Sequence, residues 1–301
     1  MVERRQLSSA TMRAPKRGML ASAEGAVNYL FYAAPAAPLG PPLVLFGGTA
    51  QVLNSMLTHH GPLSKGRALL HYELRGQGTT TTLPCTDCTL ERHVADFDAV
   101  MSAARGEGLI DDEAIDLCGF SFGGRVALAV AANDARRQVR KLVATGVPAD
   151  RGATGRVILR AWLSTLERGD LNGFLWQSMA AGHSETFLRT NEDRLPAWVD
   201  SAAALNRCDA ILGLVRDSHT DEESSSWHTL SLARRAAAAG LASCDALFIS
   251  GALDRLAQPS ECARVAAEGG WRCELVAGAG HAVPAEEPRV WREHVLRFLD
   301  S

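Results

Sequence analysis

Ser121 stands in Gly119-Phe120-Ser121-Phe122-Gly123, a serine with a glycine two residues away on either side. A serine hydroxyl attacks a carbonyl only when a base takes its proton as it does so. That base is normally a histidine, oriented by a carboxylate on its other ring nitrogen. His281, in Gly278-Ala279-Gly280-His281, and Asp254, in Gly251-Ala252-Leu253-Asp254, each follow a short segment that reads as a strand, as does Ser121. Asp150, after the run ending at Thr145, is the rival position for the acid. Attack also builds negative charge on the carbonyl oxygen, which preorganised backbone N–H groups must meet. Phe122, directly after the serine, supplies one donor. Gly47-Gly48-Thr49 supplies the other, with Gly48 as the expected donor and Thr49 taking that role if the turn is shifted by one. Among the other histidines, His93 and His294 fall inside helical patterns, and His59 and His60 fall in a loop that could line the mouth of the site.

These groups act together only if the chain delivers them to one edge. Residues 19–22 and 26–33, separated by Glu24-Gly25, read as a hairpin. Residues 43–46, Leu-Val-Leu-Phe, are a continuous apolar run of the kind buried on both faces of a sheet. Strands are expected at 68–74, 114–118, 141–145, 246–250 and 272–276. Helices are expected through Leu90, Val94, Phe97 and Met101, at 122–132, at 260–268, and through Trp291, Val295, Phe298 and Leu299. Strands alternating with helices predict an α/β chain with a mostly parallel twisted sheet of about eight strands and helices on both faces. Ser121 then occupies a sharp strand-to-helix turn, where crowding demands the small Gly119 and Gly123. Ligands of open parallel sheets bind at this C-terminal edge. From 149 to 240 strand patterns vanish, helical ones take over, and Trp162, Trp176, Trp198 and Trp227 are found there. This division predicts a core of residues 19–148 and 241–301, a helical cap of 149–240, and a basic tail of 1–18.

Composition narrows the function classes. The 301 residues carry 31 Lys and Arg against 34 Asp and Glu, a formal charge of −3, with 47% hydrophobic residues. Such a balance offers no electrostatic case for nucleic acid or anionic membranes. No apolar run approaches the roughly 20 residues of a spanning helix. The seven cysteines are odd in number and scattered, which fits a reducing compartment better than a disulfide framework. Cys85 and Cys88 form a C-x-x-C without the second pair a zinc site needs, so no metal is expected. Residues 1–18 hold Arg4, Arg5, Arg13, Lys16 and Arg17 against one acid. The tail is therefore read as a frayed, solvated terminus in a cytoplasmic protein, with organellar import as the other reading.

Over residues 19–300 the chain resembles the α/β-hydrolase superfamily of the helical-cap kind. The resemblance rests on Phe46-Gly47-Gly48, where the family usually has His-Gly-x, and on Glu73-Leu74-Arg75-Gly76-Gln77-Gly78, similar to its D-x-R-G-x-G. It rests further on the Ser121 turn, on Gly251-x-x-Asp254 followed by Pro259, and on Gly280-His281 followed by Glu287-Pro288. The order Ser121, Asp254, His281 is that of the family. Phe46 departs from the family histidine, which helps brace the oxyanion loop, so that loop is expected to be held differently. Glu73 and Gln77 also depart from the pattern and bear on loop packing. The resemblance implies hydrolysis of an ester, thioester, lactone or amide through an acyl-serine, without metal or organic cofactor.

The first reading is a serine hydrolase acting on a carboxylic ester or thioester, with a small-molecule acyl substrate, as a monomer or homodimer. Trp162 and Trp176 of the cap are its candidate lining residues. A second reading follows from Arg125, four residues after Ser121 on the same helix face. Gly123-Gly124-Arg125 resembles the menaquinone-pathway cyclohexadiene-carboxylate synthase. The reaction would then be C–C hydrolysis or pyruvate elimination on a carboxylated substrate anchored by Arg125. Arg125 could instead pair with a protein acid such as Glu73, the reading preferred for it. A ligand receptor that keeps the pocket without chemistry is the third reading.

Overall fold

The strand segments of the chain pair edge to edge into one eight-stranded sheet, ordered β1-β2-β4-β3-β5-β6-β7-β8, in the computed structural model. The structure describes residues 14–78, 80, 87–111, 114–217 and 224–301. The strands are β1 (Lys16–Ser22), β2 (Gly25–Tyr32), β3 (Leu43–Phe46), β4 (Leu69–Tyr72), β5 (Ile115–Phe120), β6 (Val139–Thr145), β7 (Ala246–Gly251) and β8 (Arg272–Val276). β1, β2 and β4 pair antiparallel, whereas β4 through β8 pair parallel. β3, β4, β5 and β7 are buried at every position, as both-face coverage by helices demands.

The helices are α1 (Leu57–Leu63), α2 (Leu90–Gly106), α3 (Phe122–Ala132), α4 (Gly152–Glu167), α5 (Leu171–Gly182), α6 (Glu185–Asn191), α7 (Leu195–Leu205), α8 (Cys208–Asp217), α9 (Thr229–Ala238), α10 (Pro259–Gly269), α11 (Val283–Glu286) and α12 (Pro288–Leu299). Alternate residues of the strands feed two cores, the period-two rule at work. Val44, Phe46, Leu117, Ala144 and Phe248 join α2, α3, α9 and α10 on one face. Leu43, Leu45, Cys118, Val143 and Ile249 join Trp291, Val295 and Phe298 of α12 on the other. A third cluster, built on Leu159, Trp162, Leu166, Phe174, Val199 and Ile211, is the core of the helices inserted between β6 and β7. Among the described residues no helix is long and apolar enough to cross a membrane.

The chain passes from β3 to β4 on one side and then returns to β5 on the other. The strand order therefore reverses between β3 and β5, and a crevice opens beyond their C-terminal ends. Gly47-Gly48 and Ser121 stand at those two ends.

Several expectations need correction. β1 starts at Lys16, so the strand takes in the end of the segment read as tail. Lys16 and Arg17 pair with Phe31 and Leu30, and Lys16 Nζ meets Glu107 at 3.1 Å. The rest of the tail reading falls on 1–13, outside the described residues. The boundary at 240 places α9 in the cap, yet Leu232, Ala233 and Ala236 of α9 lie in the core cluster with α3. Its apolar stripe packs on α3 and α10 beside the sheet. Cys118, Cys208, Cys244, Cys262 and Cys273 are free thiols, whereas Cys88 is disulfide-bonded. The C-x-x-C position Cys85 lies outside the described residues.

His59 and His60 are helical, in α1, and buried rather than at a mouth. His59 packs edge-on to Trp291, and His60 Nε2 meets His71 Nδ1 at 2.8 Å. Burial pushes His59 and His60 down from 6.5 to about 4, His93 to about 3, and His71 well below its ordinary value. An unfolded chain protonates such rings near pH 6.5, and the folded chain only near 4 or below. The unfolded state therefore binds more protons across that interval, and stability is lost as pH falls through it. The urea midpoint is expected to drop steadily between pH 6.5 and 4. A flat midpoint there would show the rings charged in the folded protein.

Candidate active site

The turn after β5 is as tight as its glycines allow. Ser121 has φ 53° and ψ −120°, a region open to few side chains. It is held there by its N–H on the Thr145 carbonyl (2.7 Å) and by its own carbonyl, which accepts from Arg125 N (3.1 Å). A Cβ on Gly119 would stand 2.3 Å from the Gly123 carbonyl oxygen, and one on Gly123 would stand 2.3 Å from the Gly47 carbonyl oxygen. Only bare backbone lets the serine turn, the first turn of α3 and the β3 loop close on one another.

His281 Nε2 lies 2.8 Å from Ser121 Oγ, and His281 Nδ1 lies 2.7 Å from Asp254 Oδ2. Asp254 is only 4% exposed and His281 6%. The other carboxylate oxygen, Asp254 Oδ1, accepts from Leu256 N (2.9 Å) and Ala257 N (2.7 Å), which fixes which oxygen faces the ring. The imidazole rests against Phe120, with ring centroids 5.3 Å apart, and over Gly146, where a Cβ would sit 2.9 Å from the ring. Gly146 has φ +67°, so glycine is required there twice over. The rival Asp150 is engaged elsewhere, with Arg156 Nη1 at 3.0 Å and the Arg151 N–H.

Phe122 is the first residue of α3, whose N–H has no intrahelical partner. Gly48 lies beside the serine: a Cβ there would stand 2.9 Å from Phe120 and 3.4 Å from Ser121 Cβ. The Gly48 N–H is, however, engaged by Gln51 Oε1 at 2.8 Å. Phe46 cannot brace this loop, since its ring is buried against Tyr72 and Phe97. Two polar side chains hold it instead. Gln51 closes a turn, with its N–H on the Gly48 carbonyl at 3.1 Å. Asn206, at the end of α7, donates to the Ala50 carbonyl (3.1 Å) and accepts from Gly78 N (3.1 Å). Thr49 is half-buried in this turn.

The inserted helices meet all three site loops. Their core takes in Ala50 from the Gly48 loop and Leu256 from the Asp254 loop. Glu286 accepts from both Gly280 N (2.9 Å) and Ser184 N (3.0 Å), clipping the His281 loop to the start of α6. His183, stacked on Phe187 at 4.8 Å, is held neutral by burial, so it places no added charge near His281.

Three other candidates lie apart from this cluster. Trp162 packs edge-on to Phe174 within the insertion's own core, and Trp176 is 43% exposed. Neither makes a ring contact or hydrogen bond with the three central side chains. Arg125 is buried, with Nη2 on the Trp227 carbonyl at 3.3 Å. Glu73, one acid that could have met Arg125, accepts from Asn28 Nδ2 and Leu53 N. A cleft of about 480 Å³ borders Asp254 and Arg255, and one of about 430 Å³ lies between Met19, Tyr29, Val52 and Glu73; neither is lined by Ser121. Among the described residues no group of three or more His, Cys, Asp or Glu is placed to hold a metal ion.

Gln51, Asn206 and Glu286 are the residues that sequence reasoning missed. Each is polar, in or next to a turn, and its role rests on contacts that no periodicity announces.

Comparison with known proteins agrees with this architecture. No curated protein sequence matches the chain. Among solved structures, the enol-lactonase of Burkholderia xenovorans LB400 superposes with a TM-score of 0.77 at 18% identity, covering 94% of this chain and 100% of its own. A thermophilic esterase of Thermogutta terrifontis gives 0.72 at 19% identity, covering 95% and 100%. The meta-cleavage product hydrolase of Pseudomonas fluorescens IP01 gives 0.71 at 17% identity, covering 93% and 96%. At such identities the likeness is one of fold. The family described as alpha/beta hydrolase fold matches residues 41–288, a span that takes in the serine turn, the acid loop and the histidine loop, and the chain belongs to that family.

Proposed function

We propose that the protein is a serine hydrolase that cleaves a carboxylic ester or thioester through an acyl-Ser121 intermediate. The observation that carries this reading is the unbroken relay from Ser121 Oγ through His281 to Asp254, at 2.8 and 2.7 Å. In this mechanism His281 Nε2 takes the Ser121 proton as Oγ attacks the acyl carbon, then passes it to the departing alcohol or thiol. Asp254 keeps the remaining proton on Nδ1 and offsets the imidazolium charge. The Phe122 and Gly48 N–H groups receive the charge on the former carbonyl oxygen. Water then repeats the sequence on the acyl-enzyme, with His281 again as base. The inserted helices, in contact with all three loops, would serve this chemistry by shielding the acyl-enzyme.

The fold alone would not choose this chemistry, because the scaffold hosts many. Neighbours described as an esterase and an enol-lactonase point the same way. The test is hydrolysis of a panel of p-nitrophenyl esters and acyl thioesters of graded chain length, joined to fluorophosphonate labelling. An adduct on Ser121 with turnover of at least one acyl class is the expected result. A folded protein that takes no label at Ser121 favours the ligand-receptor reading.

Arg125 separates this reading from elimination or C–C cleavage on a carboxylated substrate. Its guanidinium lies against the Trp227 carbonyl at the base of α9, a contact that holds α3 to the segment before α9. Arg125→Ala is therefore expected to lower stability and to leave unchanged the ratio of kcat/KM between acidic and neutral acyl esters. A rise in KM confined to acidic substrates would instead make Arg125 an anion anchor.

A further inference from the structure

The donor that an oxyanion needs is already occupied. Gly48 N–H points at Gln51 Oε1 at 2.8 Å, and the Gln51 N–H returns to the Gly48 carbonyl at 3.1 Å, so one residue holds both polar groups of Gly48. The turn that brings Gln51 there is not relaxed: Ala50 has φ 61°, a region that favours glycine. Asn206 Nδ2 holds the Ala50 carbonyl in that conformation at 3.1 Å, from the end of α7. Gly47 makes room for the side chain, since a Cβ there would stand 3.2 Å from Gln51 Cβ. The position is built to seat an amide oxygen on the N–H beside Ser121.

We propose that Gln51 is a displaceable latch on the oxyanion loop: its amide oxygen holds the Gly48 N–H until the carbonyl oxygen of the acyl substrate takes that N–H over. The inference rests on the serine-hydrolase reading. Gln51 acts through Gly48 and not on the reacting atoms, so it is a positioning residue. Exchange of one neutral acceptor for another is nearly even, whereas an oxyanion forms a bond roughly twice as strong as a neutral one. The latch therefore yields most readily to an acyl group already moving toward the tetrahedral state. It keeps a buried donor satisfied in the meantime, as buried backbone N–H groups require.

Three substitutions test it. Gln51→Ala and Gln51→Met both remove the acceptor, and Met keeps the volume. Either is expected to raise kcat/KM roughly two- to tenfold, the worth of one neutral hydrogen bond that no longer has to be broken. Gln51→Glu puts a carboxylate on the same N–H, where it binds more tightly and repels the oxyanion. It is expected to lower kcat/KM by roughly a hundredfold or more, with a deficit relative to wild type that shrinks as pH falls toward the carboxyl range near about 4.3. A merely structural role would lower activity in all three variants and could not give opposite signs. Loss in all three, or no change in any, with wild-type fluorophosphonate labelling at Ser121 preserved, overturns the latch and leaves the hydrolase reading standing. Absence of a Ser121 adduct in the wild type overturns both.

Discussion

Ser121→Ala is expected to reduce kcat on the best acyl ester by about a million-fold, the loss seen when a triad nucleophile is removed from a working hydrolase. The magnitude follows from what replaces it. Alanine leaves His281 in place but gives it no proton to take, so only the Gly48 and Phe122 donors and substrate binding remain to accelerate attack by water. The variant should be no less folded than the parent. Ser121 is confined by backbone bonds to Thr145 and Arg125, and alanine makes both. Its φ of 53° is as uncomfortable for alanine as for serine, so the melting temperature should be unchanged. Initial rates on p-nitrophenyl esters, with fluorophosphonate labelling of both proteins and a thermal melt, check the prediction. Full activity with an unchanged melt would place the chemistry elsewhere in the molecule.

How far these residues can be read without coordinates depends on the kind of signal each carries. β3 is a continuous apolar run and the strand before Ser121 is apolar but for Asp116, both meeting glycine at their ends, and α3 follows with small residues on the face that must approach a backbone. Burial and close approach leave that signature in composition, so the Ser121 turn was legible. Even there, β5 runs on through Gly119 and Phe120, because pairing with Ala144 and Thr145 of β6 outweighs the glycine. The segment that carries His59 and His60 reads as loop after the Gly47-Gly48 turn. Its buried Leu53, Met56 and Leu63, together with His59 against Trp291, hold it helical nonetheless. Helix α9 shows the limit of periodicity. Leu232, Ala233 and Ala236 announce an apolar face but not its partner, and a cap helix would have the same stripe. The tryptophans show a related limit, since an aromatic in a helical lobe serves that lobe's own packing before it serves a ligand. Gln51 and Asn206 were hidden altogether. Their work is done by single hydrogen bonds, one across a turn and one across 156 residues of chain, and neither leaves a repeat in the sequence.

Asp254→Asn is the second large effect, and the structure fixes its mechanism. Asp254 Oδ1 receives two backbone N–H groups, from Leu256 and Ala257. An asparagine must keep its carbonyl oxygen on those donors, because its NH₂ group would oppose them N–H to N–H. The amide nitrogen is thereby forced toward His281 Nδ1, which has to accept, and the ring proton moves to Nε2. That tautomer offers Ser121 a donor in place of an acceptor, so the hydroxyl keeps its proton. A loss of about ten-thousand-fold in kcat is expected, the size known for this change in a serine protease. The loop should survive, since both backbone bonds are retained. Asp254→Ala removes those bonds as well, and leaves two buried donors unmet at about 1–3 kcal/mol each, so its urea midpoint should fall where that of Asp254→Asn does not. His281→Ala should match Ser121→Ala in kcat, because it removes the base outright. The contrast among the three variants is the decisive measurement. If Asp254→Asn kept activity within about tenfold of wild type, Asp254 would be a loop anchor alone, and the orientation of His281 would have to come from its packing on Phe120 and Gly146.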